Sequence, residues 1–141
     1  MSLSGELSQI NTIFIDTAPI IYYIESHPHF GPLAKEVVDA FQSGTLTAFS
    51  SVIILAEVLP KPIQKGQEEL ATKFTNFLKN GKNINLIEIS TDIAEKAGQL
   101  RGKYPMLRAL DAIQLSTAIE VEVDAFLTND KKLRRIKEIK V

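Results

Sequence analysis

The chain has 141 residues, of which 45% are hydrophobic, with a formal net charge of −1 and no cysteine. That size and apolar content predict one domain with a sizeable core, while the missing thiols exclude disulfides and thiolate metal sites and make a reducing cytoplasm the expected home. The near-neutral balance does not by itself advertise a nucleic-acid binder, and the longest wholly apolar run, Val52 to Ala56, is far below the roughly 20 residues of a membrane helix.

Residues 1–10 carry no apolar period and are expected to form a disordered lead to a single domain over 11–141. They also lack the charged start and long apolar run of a secretory signal. NTIFID at 11–16 predicts a buried parallel strand that ends on an acid. Asp16 or Thr17 then caps a helix over 19–25, whose first turn tolerates Pro19 because an N–H is dispensable there. His27 and His29 follow in a turn-rich segment, two apart and without a third ligand nearby, and are read as loop residues rather than metal ligands.

Residues 30–42 predict an amphipathic helix with Leu33, Val37, Val38 and Phe41 inward, closed by Ser43-Gly44. A second strand at 45–49 leads into the helix SVIILAEVL, capped by Ser50 or Ser51 and terminated by Pro60 and Pro62. A further amphipathic helix spans 67–79, with Leu70, Phe74, Phe77 and Leu78 inward, and a third strand spans 84–89. Ser90, Thr91 or Asp92 caps the next helix, which runs to Lys103. The apolar residues of 109–121 fall all round a helical turn, so this helix is expected to be buried on most sides. A short strand at 124–128 follows, and 136–141 reads as an edge strand. Alternating strands and helices define the expected class: a three-layer α/β/α domain around a central, mostly parallel sheet.

Four acids sit where folding alone does not need them. Asp16 ends the first strand, Glu57 interrupts an almost continuous apolar helix, Asp111 starts a helix on the stripe of Leu115 and Ala118, and Asp130 follows the last central strand. In a parallel sheet, strand C-termini and helix N-termini share the edge that binds ligands, so all four map to one end. Each pair would repel by about 4 kcal/mol at roughly 4 Å in an effective dielectric of about 20. Such a sum rivals the roughly 5 to 15 kcal/mol stability of a whole domain, so protons or a cation must neutralise it. Hard oxygen donors point to Mg²⁺ or Mn²⁺, and a water made more acidic by such an ion can attack a phosphodiester. Thr17 and Thr128, at two of the same strand ends, are candidates to orient those waters.

FIDTAPIIYYI, SSVIILAEVL, RALDAIQLSTAIE and FLTNDKKL, in this order and spacing, resemble the motif regions of the PIN-domain family, in particular the VapC-type toxin ribonucleases. RALDAIQLSTA followed by FLTND is the most specific part. The resemblance places the family's acidic quartet on Asp16, Glu57, Asp111 and Asp130, and it implies Mg²⁺- or Mn²⁺-dependent endonucleolytic cleavage of RNA. It further implies a homodimer and, in toxin systems, an antitoxin protein that blocks the site. Ala18 and Pro19 depart from the family, many of whose members carry Asn or Ser there.

Six of the 16 lysines and arginines fall between Lys131 and Lys140. Lys131, Lys132, Arg134 and Arg135, with Arg108, are therefore the candidates to hold an RNA backbone beside the acids. Two other readings compete. A catalytically inactive PIN-like scaffold would bind RNA or protein without cutting, and a phosphotransfer domain would use Asp16 as nucleophile. The latter is disfavoured because Thr17 and Ala18 stand where such families, by resemblance, need a second acid.

Overall fold

Strand β1, Thr12–Ile15, consists entirely of β-branched or aromatic residues, which suits a position flanked on both sides. In the computed structural model, which describes residues 3–140, it pairs in parallel with β2, Thr47–Ser51, and with β4, Ala125–Leu127. β3, Ile84–Ile87, adds to the far side of β2. The described residues thus form a four-stranded parallel sheet in the order β3-β2-β1-β4. The chain steps outward from β1 to β2 and β3, then crosses back to lay β4 on the other side of β1. This reversal puts the topological switch point at the C-terminal ends of β1 and β4.

The helices are α1 (Leu3–Leu7), α2 (Thr17–Ile24), α3 (Gly31–Gln42), α4 (Ile53–Val58), α5 (Pro60–Gln64), α6 (Glu68–Asn80), α7 (Thr91–Lys103) and α8 (Ala109–Glu120). Alternation along β1 divides the interior in two. Ile13 and Ile15 join Ile20 of α2, Val37, Val38 and Phe41 of α3, Ile54 of α4 and Phe74 and Leu78 of α6 in one core. Phe14 faces the other way, with Phe126 of β4, Ala97 and Leu100 of α7, and Ala112, Leu115 and Ala118 of α8. Its ring stacks on Phe126 at 5.1 Å, the register partner across the β1–β4 ladder. Both faces of the sheet are therefore covered, which is the three-layer architecture.

Several sequence expectations are corrected. Within the expected lead the described residues include α1, and Leu7 at its end and Ile10 beyond it pack on the first core. The helix α4 does end before Pro60, with Leu59 as its C-cap; what the sequence did not foresee is that Pro60 then opens a new helix, α5, at a first-turn position, where its missing N–H costs nothing. Leu33, expected inward, is 49% exposed, because the buried stripe of α3 runs through Ala34, Val37, Val38 and Phe41 at i, i+3, i+4 and i+7. The expected edge strand over 136–141 is absent from the described residues, Val141 lying outside them. A 3₁₀ helix, Lys131–Arg135, follows β4, and Leu133 and Ile136, three apart as that helix requires, anchor the segment in the second core. A bond from the Phe126 N–H to the Lys140 carbonyl, 2.8 Å, echoes a ladder there.

Candidate functional site

β1 ends at Ile15, and Asp16 takes the N-cap of α2 in extended conformation, its Oδ1 accepting the Thr17 N–H at 2.9 Å. A cap of this kind needs only one carboxylate oxygen. The other, Oδ2, accepts the hydroxyl of Thr128, just past β4, at 2.7 Å. Glu57, on α4, reaches the same point from the first helical layer, and its Oε1 accepts the Thr17 hydroxyl at 2.9 Å. Asp111 arrives from the second layer in the first turn of α8 and is held by Arg108, Nε to Oδ2 at 3.0 Å. Asp130 caps the 3₁₀ helix through Oδ1 and the Lys132 N–H, and its own N–H donates to Thr128 Oγ1.

Asp16, Thr17, Glu57, Arg108, Asp111, Thr128 and Asp130 all line one open cleft of about 420 Å³ at the switch point. A larger groove, about 650 Å³ beside Tyr23, Ile24 and Phe77, is lined by no carboxylate, so size alone does not locate the site. His27 and His29 stand away from the acids; His27 Nδ1 accepts the N–H groups of His29 and Phe30 at the entry to α3. Lys131, Lys132, Arg134 and Arg135 are exposed on the turn that follows Asp130.

The residue that sequence reasoning missed is Gln114. It is 2% exposed, on α8 one turn beyond Asp111, and its Nε2 lies 3.0 Å from Asp16 Oδ1, 3.0 Å from Thr17 Oγ1 and 3.1 Å from Glu57 Oε1. One available signal was an amide inside the apolar run AIQLSTAI, three residues after an acid and so on its face.

Burial pushes the Asp16 carboxyl above the ordinary carboxylate range, opposed by the donors Thr128 and Thr17 and assisted by the charges of Asp111 and Asp130. Glu57 is raised likewise, first by burial, with Thr17 and Gln114 opposing and Asp16 and Asp111 adding to the rise. The acids therefore feel one another across the cleft. Carboxylate and hydroxyl oxygens, with no imidazole or thiol among them, make a hard donor set that fits Mg²⁺ or Mn²⁺. Among the described residues no three acidic, imidazole or thiol groups stand gathered around one point. Gln114 bridges two of the carboxylates and Arg108 holds a third.

Comparison with known proteins bears on the same elements. The fold matches a VapBC2 complex from Rickettsia felis bound to a promoter DNA fragment, with TM-score 0.75, 22% identity and coverage of 92% of this chain and 96% of that one. It matches a toxin–antitoxin complex from Klebsiella pneumoniae at TM-score 0.66 and 26% identity, covering 92% and 96%. The Sarcin-Ricin loop cleaving toxin VapC20 of Mycobacterium tuberculosis aligns at TM-score 0.70 and 14% identity, covering 92% and 99%. No curated protein sequence matches. The family model for the PIN domain matches residues 13–139, from the first core residue of β1 to beyond the basic turn, and the chain belongs to the PIN-domain family.

Proposed function

We propose that the protein is a Mg²⁺- or Mn²⁺-dependent endoribonuclease of the VapC toxin kind. The observation that carries this is the meeting of Asp16, Glu57, Asp111 and Asp130, from four separate parts of the chain, in one cleft at the switch point. Those carboxylates are the residues that would hold the ion. A bound divalent cation supplies Lewis acidity, making a water nucleophilic near neutral pH and stabilising the departing oxygen of a phosphodiester. The protein's own groups do the rest. Thr128 and Thr17 fix the Asp16 and Glu57 carboxylates by hydrogen bonds, as outer groups commonly orient metal ligands. Arg108, 81% exposed over Asp111, and the basic turn 131–135 offer the phosphate chain positive charge beside the acids.

The Mycobacterium tuberculosis neighbour cleaves the Sarcin-Ricin loop, which supports RNA as the substrate class. Neighbours described as VapBC2 and as a toxin–antitoxin complex support an antitoxin partner. A homodimer rests on the sequence resemblance, and the cytoplasm on the cysteine-free composition and RNA substrate; among the described residues no helix is long and apolar enough to cross a membrane. Incubation of labelled RNA with Mg²⁺ or Mn²⁺ tests the reading. Cleavage should vanish with chelator and in Asp111→Asn; persistence in either case defeats it.

A second reading, a non-catalytic PIN scaffold, draws on the donors that already engage the acids. Titration with Mn²⁺ separates the two, since the scaffold binds none.

A further inference from the structure

We infer that Gln114 is a positioning residue: its side-chain amide stands in for the cation, bridging Asp16 and Glu57 so that the acidic cleft stays folded before metal arrives. The inference rests on reading the cleft as a metal site, and adds to it a residue with a distinct physical task.

The amide's orientation follows from its surroundings. Nε2 faces Asp16 Oδ1, Glu57 Oε1 and Thr17 Oγ1 within 3.1 Å. Turning the amide over would aim a carbonyl at two carboxylates, and the Thr17 hydroxyl hydrogen is already committed to Glu57. Two amide hydrogens thus serve acceptors on α2 and α4 from a residue on α8, tying both helical layers together over the sheet edge. The cost is visible at the other end of the group, where Oε1 is buried without a hydrogen-bond partner among the described residues. A buried orphan acceptor is disfavoured, so this arrangement persists because the acids gain more from Nε2 than Oε1 loses. A neutral amide can do this without permanent charge, and the two carboxylates keep lone pairs for an ion.

Thermal unfolding of the full chain in chelator and in saturating Mn²⁺ tests this, with wild type, Gln114→Met, Gln114→Glu and the double variant Gln114→Met/Glu57→Gln. In chelator, Gln114→Met should melt about 5 °C or more below wild type, as expected for losing charge-assisted hydrogen bonds in a domain of this size. Gln114→Glu, which puts a third carboxylate, at a buried position, against Asp16 and Glu57, should fall further. Mn²⁺ should narrow both gaps, so that its stabilising shift is larger in the variants than in wild type. Glu57→Gln should restore part of the loss in Gln114→Met, because it removes the repulsion that the amide was offsetting. If Gln114→Met fails to fold, the double variant still decides: recovery of a folded state supports the bridge and failure overturns it. Equal losses with and without Mn²⁺, and no rescue by Glu57→Gln, would reduce Gln114 to a packing residue and overturn the inference. Absence of any Mn²⁺ uptake by wild type, followed by the free-ion spin-resonance signal, would instead overturn the metal reading, while the rescue by Glu57→Gln in chelator would still report on the bridge.

Discussion

At the scale of single residues, the acids differ in how they are held, and that sets what their removal does. Asp16 is half-buried, carries the α2 cap and receives three donors. Asp16→Asn keeps an oxygen for the cap and amide while deleting a charge that burial disfavours. It should abolish metal-dependent cleavage yet melt no lower than wild type in chelator, as read by paired RNA cleavage and thermal scans. Arg108 lies at the other extreme, 81% exposed in its pair with Asp111. Exposed pairs contribute little, so Arg108→Ala should alter stability by less than about 1 kcal/mol in urea titrations. Its effect belongs to RNA: weaker binding, and a slope of log affinity against log salt reduced by about 0.7.

At the scale of elements, short strands depend on side chains that secure their ends. Asp124, just before β4, uses Oδ2 to accept the N–H groups of Asn11 at 2.7 Å and Thr12 at 3.1 Å, while its own N–H donates to Thr12 Oγ1. This clasp joins the starts of β1 and β4, at the opposite end of the strands from the acids. The Asn11 and Thr12 amides hold the Asp124 carboxyl below its ordinary value of 3.8. Because the folded value is depressed, the clasp stabilises fully above that ordinary value and is lost as pH falls through the lowered one. Asp124→Asn should therefore melt below wild type at neutral pH, with the gap closing below pH 3.8; a gap unchanged across that window would show that charge plays no part. α8 is the complementary case, an element that turns several polar residues inward. Gln114, Ser116 and Thr117 are all buried on it, and Thr117 satisfies its hydroxyl within the helix by donating to the Ile113 carbonyl at 2.7 Å.

At the scale of the whole molecule, one thin sheet separates two cores, and side chains of β1 alternate between them. Phe14 is fully buried and stacks on Phe126, so it joins the central strands to α7 and α8. Phe14→Ala should cost about 3 to 5 kcal/mol by denaturant titration. Since Asp16 sits two residues on and Gln114 reaches it from α8, the same variant should weaken Mn²⁺ binding, although it touches no acid.

Much of this was legible in the linear chain because it is written in local chemistry. Strand composition at 12–15, helical periodicity in α6 and α7, the Ser90 cap with its Ile93 N–H at 3.1 Å, and acids placed against the apolar grain each depend on a few neighbouring residues. The C-terminal segment was misread because a run of lysine, arginine and isoleucine serves a strand or a 3₁₀ turn equally, and burial of Leu133 and Ile136 chose the turn. Leu33 was misplaced because adjacent stripes on one helix differ only in which neighbour covers them. Sequence alone determined the alternation of elements and singled out Asp16, Glu57, Asp111 and Asp130 as acids in need of partners. Only the tertiary structure decided the partners of Asp16 and Glu57: Gln114 lies 98 and 57 residues from them and Thr128 lies 112 from Asp16, and hydrogen bonding is fixed by separation in space, to which spacing along the polymer is blind.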